Sequence, residues 1–375
     1  MSNFIHIVCL DAPSPPDYGG AIDMYYKIKS LAEAEKHIIL HYFNYNEKRN
    51  AGDLQSVCAE VNAYERKSFV QSLSFSQPYI VSSRNNQRLI NRLNEDEYPI
   101  LLEGLHCAGI IPYIRNKKRI VLRMHNEEAS YYQHLFACEK NILRKTYFGL
   151  ESKLISQFQQ KIDKQVKLAC LSKTDLHLFR NNYHFQNCHF IPCFIPWQQI
   201  NSKTGQGNYC LYHGNLSVSE NVSAALWLMQ NVFSEIPVRF IIAGKSAPEQ
   251  LFAAAKKYGN VSVISNPSIE QVDELIANAH INVLPSMNST GVKLKLLHAL
   301  CRGRFCITNT AGVAGSNIES GVHIANEPGD YIALINQLMQ QDFSVSELQQ
   351  REMILQIYNN QINAENLIAI WKHCQ

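Results

Sequence analysis

Asn288–Gly303, NSTGVKLKLLHALCRG, opens on small polar residues and a glycine, passes into an amphipathic helix pattern and ends at Arg302-Gly303. A stretch of this form closes a phosphate or sugar pocket, because free N–H groups at a turn and a helix start gather around an anion. On its amino side lies INVLP (281–285) and on its carboxyl side RFCITN (304–309), both short apolar runs. Strand, polar turn, helix and strand in succession predict a βαβ unit of a parallel sheet.

The same alternation runs outward in both directions. FIHIVCL (4–10), HIILHYF (37–43), PILLEGL (99–105), RIVLRMH (119–125) and VKLACLS (166–172) are rich in Ile, Val and Leu and alternate little. That is the pattern of strands covered on both faces. Helical patterns occupy 20–35, 128–162 and 173–180. After a polar stretch near 198–208 the pattern restarts with YCLYHG (209–214), RFIIAGK (239–245) and VSVIS (261–265), with helices near 217–233, 247–257, 269–278 and 291–302. The prediction is an α/β protein of two doubly wound, Rossmann-like domains, 1–200 and 208–345, facing a central cleft. A helical segment, 346–375, carries Trp371 and is expected to cross back to the first domain. Ligands of such domains bind beyond the carboxyl ends of the strands.

Bulk properties narrow the class. A length of 375 residues suits two domains, and 46% hydrophobic with 18% charged residues is ordinary globular composition. A net charge of +3 argues against a nucleic-acid partner. The one dense basic run, RNKKR (115–119), is expected to be a solvated loop, with a membrane-surface contact as the alternative. The eleven cysteines include no CxxC pair; Cys188/Cys193 and Cys301/Cys306 lack a second pair to complete a zinc site. Buried reduced thiols in a cytoplasmic protein are therefore expected. FIHIVCL is too short for a signal peptide, and no window approaches the ~18 apolar residues of a spanning helix.

The strand ends hold the candidate site. Gly19-Gly20 ends a Pro-rich loop and opens a helix, which lets the backbone approach an anion. His125 follows RIVLRM, placed to hydrogen-bond a sugar hydroxyl or stabilise developing charge, whereas Glu127 and Glu128 also suit a helix N-terminus electrostatically. Glu103 follows PILL, as an acceptor for hydroxyls or a turn cap. Gly214 and Gly244-Lys245 end two strands of the second domain, and Lys245 is suited to neutralise a diphosphate. Ser289, Thr290 and Gly291 are expected at a helix start with Lys293 beside them. His298 lies about two turns on, on the face bearing Gly291 and Lys295.

These residues, in this order, resemble the GT-B glycosyltransferases, in particular the family 4-like retaining enzymes that use nucleotide-diphospho-sugars. The resemblance spans nearly the whole chain: PSPPDYGGAIDMYYKIKSL, LRMHNEEASYY, ACLSKTDLHLF, LYHGNLSVSENVSAALWLM, IIAGK and, most specifically, GVKLKLLHALCRGRFCITNTAGVAG. It implies that Gly20, in the Gly19-Gly20 loop, approaches the donor phosphate and that His125 meets the donor sugar near the reacting carbon. It implies that Lys245 and the amides of Thr290, Gly291, Val292 and Lys293 hold the diphosphate, and that residues near Val263 to Asn266 contact the base. No metal or other cofactor is implied. The implied partners are a nucleotide-sugar donor and a glycan or lipid-linked acceptor, in surface or secreted polysaccharide assembly. A peripheral contact with the inner membrane face would fall to the basic, amphipathic stretch 141–167, whose plainer reading is a domain-surface helix.

Two departures stand out. The Arg…Lys pair expected after the first strand of the second domain is missing from GNLSVSEN, leaving Lys245 and Lys293 to carry that charge. MNST replaces the first carboxylate of the family's Glu-x7-Glu motif and His298 the second, whose implied role is to accept from ribose hydroxyls. A neutral imidazole still accepts one hydrogen bond. The alternatives are a catalytically weakened GT-B protein acting as a nucleotide- or glycan-binding or partner subunit, and a sugar-nucleotide epimerase of the same build. A dinucleotide oxidoreductase requires GxGxxG, which PSPPDYGG does not provide. NEDE (94–97) is read as a solvated loop rather than a metal motif.

Overall fold

The computed structural model describes residues 3–44, 49–72, 74, 76–139 and 141–372. The chain forms two compact units, residues 1–196 with 358–375 and residues 197–357. Unit 1 holds seven strands: β1 (Phe4–Cys9), β2 (His37–Asn44), β3 (Cys58–Glu65), β4 (Ile100–Glu103), β5 (Ile120–Met124), β6 (Lys167–Cys170) and β7 (Cys188–Phe190). All pair in parallel, in the order β3-β2-β1-β4-β5-β6-β7. Alternate side chains feed two cores. Val8, Leu102, Leu122 and Leu168 point to one layer, and their neighbours Ile7, Leu101, Val121 and Ala169 to the other. The second layer is covered by helix Gly19–Glu33 and the last helix, Asn360–Lys372, through Met24, Ile28, Leu367 and Trp371. Trp371 Nε1 donates to the Arg119 carbonyl at 2.8 Å, and buried Lys167 donates to the Ile370 carbonyl at 3.0 Å.

Unit 2 holds β8 (Cys210–His213), β9 (Phe240–Gly244), β10 (Val261–Ser265), β11 (Ile281–Val283), β12 (Phe305–Thr308) and β13 (His323–Ile324), again all parallel, in the order β10-β9-β8-β11-β12-β13. In both sheets the strand order reverses beside the first strand, at β1/β4 and at β8/β11. Those are the positions where an open α/β sheet binds ligands.

The structure revises several boundaries. The polar connection groups with unit 2 from Trp197 onward, where Gly205 pairs with Phe343 (2.9 and 3.1 Å). The tail is three helices, and Val345–Gln349 and Glu352–Ile357 stay with unit 2. Arg351 anchors them, its guanidinium buried on the carbonyls of Leu300, Gly303 and Arg304. The predicted helix 128–162 is two, Glu128–Cys138 and Ile142–Lys161, because Asn141 caps the second by accepting from the Arg144 amide. β3 escaped the sequence reading because it is an edge strand with polar residues at Glu60 and Asn62. Of the nine cysteines whose side chains are described, eight are buried and Cys58 is partly exposed.

RNKKR and NEDE are not simply solvated loops. Buried Arg119 donates to the carbonyls of Leu93 and Tyr98, and Asp96 joins a polar file through the sheet. Asp96 accepts from His6 Nε2 (3.0 Å), His6 Nδ1 meets His41 Nε2 (2.9 Å), and His41 Nδ1 meets the Tyr64 hydroxyl (3.0 Å). Burial, reinforced by His6, pushes the His41 imidazole down to about 3. In the unfolded chain this ring binds a proton near pH 6.5, so between pH 6.5 and 3 the unfolded state holds the extra proton and folding weakens as pH falls. We expect the slope of unfolding free energy between pH 6.5 and 5 to be shallower in His41→Gln, by up to about 1.4 kcal/mol per pH unit. Urea titrations across that range measure it; parallel slopes would refute the assignment.

Candidate active site

At the unit 1 switch point, two acids, two bases and a histidine form one buried cluster. Asp23 and Lys27 lie one turn apart on helix Gly19–Glu33; Glu103 ends β4; Arg123 lies in β5 and His125 just beyond it. Lys27 Nζ sits 2.6 Å from Asp23 Oδ2 and 2.9 Å from Glu103. Arg123 grips Asp23 at 3.0 and 3.3 Å and donates to the carbonyls of Ile191 and Pro192. The Phe194 amide also donates to Asp23, at 2.8 Å. Two positive and two negative side chains thus cancel out of water, where an uncompensated charge would be very costly. Burial alone would raise the Glu103 carboxyl, but Lys27 and then His125 outweigh it and hold it below its usual range.

His125 Nε2 stands 2.9 Å from Glu103 Oε2. An ionised carboxylate only accepts, so Nε2 donates to Glu103 and Nδ1 is the ring's other polar edge. That Nδ1 faces Gly20: a Cβ built on Gly20 would lie 3.7 Å from it and 3.1 Å from the Tyr18 ring. The structure therefore brings Gly20, with Gly19 beside it at the helix start, to the Nδ1 edge of His125. Glu103 is wholly buried and orients the His125 ring through this bond. Asp23, Glu103 and His125 have ligand atoms within 4.8 Å of one another, a metal-like spacing, but the Lys27 ammonium already lies between the two carboxylates.

The two glutamates after His125 divide in role. Glu127 caps helix Glu128–Cys138, accepting from Ala129 N and Ser130 N, and also from Gln159 and the Tyr183 hydroxyl. Glu128 is buried, and burial pushes its carboxyl up to about 7, with Glu127 adding to the rise against a hydrogen bond from Asn126. A helix-terminus charge was its plainer reading from the sequence; acids this close to neutrality are commoner at functional sites.

In unit 2, Gly214 follows β8 and Gly244 ends β9. A Cβ on Gly244 would stand 1.8 Å from the Gly214 carbonyl oxygen, so this close approach requires glycine. Lys245 is exposed on the β9 loop. Asn266, with φ of 54°, follows β10 and accepts from the Ser246 amide at 2.8 Å, so it shapes the loop carrying Lys245. The turn Ser289–Val292 precedes the helix rather than starting it: the helix is Leu294–Arg302, with Lys293 at its N-cap. Asn288 Oδ1 organises this turn by accepting from Thr290 N (3.2 Å) and Lys293 Nζ (2.6 Å), with Gly291 at φ 67°.

Lys295 is the residue that the sequence reading passed over. Its ammonium touches the Tyr212 hydroxyl and Asn221 Oδ1, both at 3.1 Å, and Asn221 lines Gly214. Burial, against an upward pull from Glu220, brings Lys293 and Lys295 each down to about 8. The bonded partners of both ammonium groups are neutral oxygens. The available signal was a lysine inside an otherwise apolar helix stripe.

His298 is more constrained than a lone acceptor. Its Nε2 lies 2.6 Å from Asp273 Oδ1, and Arg302 holds the other Asp273 oxygen at 3.2 Å. Trp197 stacks on the ring at 4.3 Å, and His213 meets it edge-on. Helix Ile269–Asn278 thus places a carboxylate directly against the His298 ring.

Comparison with known proteins accords with this geometry. Over 99% of this chain and 98% of the other, the fold superposes on sucrose-phosphate synthase from Thermosynechococcus elongatus, with a TM-score of 0.72 at 13% identity. It also superposes on an S. aureus TarM mutant in complex with fondaparinux, alpha-GlcNAc-glycerol and UDP, with a TM-score of 0.66 at 11% identity over 98% and 99% of the two chains. The chain therefore has the GT-B fold of glycosyltransferases. Residues 207–341 match the model of the family "Glycosyl transferases group 1". An uncharacterized 44.6 kDa protein in the cps region of Klebsiella pneumoniae is 27% identical over 344 residues, covering 86% of this chain and 87% of that one.

Proposed function

We propose that the chain moves a sugar from a nucleotide-diphospho-sugar to an acceptor hydroxyl with retention at the anomeric carbon, without a metal. The observation that carries this reading is the Lys293/Lys295 pair at the unit 2 switch point, two partly desolvated ammonium groups bonded only to neutral oxygens. A dianion arriving there restores the charge balance that burial disturbs. In this mechanism Lys293, Lys295, Lys245 and the amides of Thr290 to Lys293 stabilise the departing diphosphate. His125, oriented by Glu103, acts at the sugar as positive charge builds on the anomeric carbon, and the acceptor hydroxyl is the nucleophile. The relative in a cps region supports a role in surface polysaccharide assembly, with the acceptor a glycan or lipid-linked glycan reached from a peripheral position at the membrane.

A catalytically weakened, nucleotide-binding role is the second reading, favoured by one observation: His298 Nε2 is already engaged by Asp273. Thermal unfolding against UDP, GDP, ADP and CMP and their sugars separates the two. One diphosphate is expected to stabilise the protein, by about 2.7 kcal/mol at a hundredfold excess over Kd, and Lys295→Met is expected to weaken that binding at least tenfold. His298→Glu then reports whether the histidine tunes donor affinity. No shift with any nucleotide, in either His298 form, would sink the transferase reading.

A further inference from the structure

Unit 1 exposes an apolar strip that no part of the site uses. Ile142 and Leu143, at the start of helix Ile142–Lys161, are 78% and 83% exposed, and Leu150 is 60% exposed. Leu143, Tyr147 and Leu150 follow an i, i+4, i+7 spacing and so share one helix face. Phe136, near the end of helix Glu128–Cys138, lies against Gly149, and Phe69 meets Tyr147 with ring centroids 6.2 Å apart. Val70, beside Phe69, is 85% exposed. The strip is therefore continuous across three elements, which single exposed apolar residues on a soluble surface are not.

Its rim is cationic. The helix carries Arg144, Lys145, Lys153 and Lys161, and its one acid, Glu151, is buried on the Tyr79 amide. Lys145 lies over the Phe136 ring at 5.2 Å. Glu139, next to the strip, turns its carboxylate onto the Asn141 amide. No helix is long and apolar enough to cross a membrane among the described residues.

We propose that this strip docks on an anionic phospholipid surface, with Ile142, Leu143 and Val70 entering the headgroup region and Arg144, Lys145 and Lys153 meeting lipid phosphates. Apolar area and basic charge act together in such binding. The inference deepens the peripheral contact of the proposed function and rests on it, yet its test uses neither donor nor acceptor, so failure of sugar transfer leaves the result intact.

The full chain would be sedimented with vesicles of phosphatidylcholine alone or mixed with phosphatidylglycerol. The expected result is capture by the anionic vesicles, reduced at least tenfold both by Ile142→Ser/Leu143→Ser and by Arg144→Glu/Lys145→Glu, and weakened by salt. Exposed side chains are changed, so thermal unfolding should match the wild type. Absence of capture, or equal capture of all variants, would overturn the proposal. So would concentration-dependent self-association in analytical ultracentrifugation that Ile142→Ser/Leu143→Ser abolishes, since the strip would then be an interface between copies.

Discussion

Lys27→Met will lower the unfolding free energy by about 3–5 kcal/mol, the range found when one partner of a buried ion pair is removed. The cause is local arithmetic. With the ammonium gone, Arg123 alone faces both Asp23 and Glu103, and Glu103 keeps only the His125 bond. Methionine matches the lysine stem in volume, so the loss reports charge rather than a cavity. Adding Glu103→Gln removes the stranded charge, and the double variant should recover part of the stability that the two single losses would predict. A Lys27→Met loss below about 1 kcal/mol would mean that the carboxylates take up protons or water instead.

His125→Ala should lower kcat by about a hundred- to a thousandfold, the range for removing one preorganised group from a developing charge. Donor affinity, which this reading assigns to the lysines of unit 2, should change much less. Glu103→Gln should show a smaller loss of kcat, because an amide still bonds the ring but no longer favours a proton on Nε2. A His125→Ala enzyme with wild-type kcat would remove this residue from the reaction.

Much of this was legible in the sequence, and the failures have physical reasons. Strands buried on both faces announce themselves as unbroken Ile/Val/Leu runs, so β1, β2, β4, β5 and β6 were readable. β3 carries polar residues because it borders the sheet, and β7 and β13 are too short to produce a pattern. His125 and Glu103 were singled out because they fall at strand ends. Their support was not: Asp23 and Lys27 look like the polar face of any helix, although Arg123 inside IVLRM was a charge in an apolar run and a visible anomaly. The Asp273 partner of His298 lies 25 residues away on another helix, a distance across which no local pattern operates. Ser289, Thr290 and Gly291 were expected at a helix start, but the helix begins at Leu294, because the Asn288 side chain, not the helix, organises those amides.

The last helix completes unit 1 only after all of unit 2 has been made. During synthesis, the seven strands of unit 1 leave the ribosome with one sheet face short of Leu367, Ile368 and Trp371, and that face waits only partly covered, by helix Gly19–Glu33, while residues 197–357 are added. Folding of this chain is therefore not a simple amino-to-carboxyl relay. The middle of the chain can close on itself while the beginning depends on the end, so a nascent chain stalled beyond unit 2 would present a finished second unit and an unsealed first one to chaperones and proteases alike.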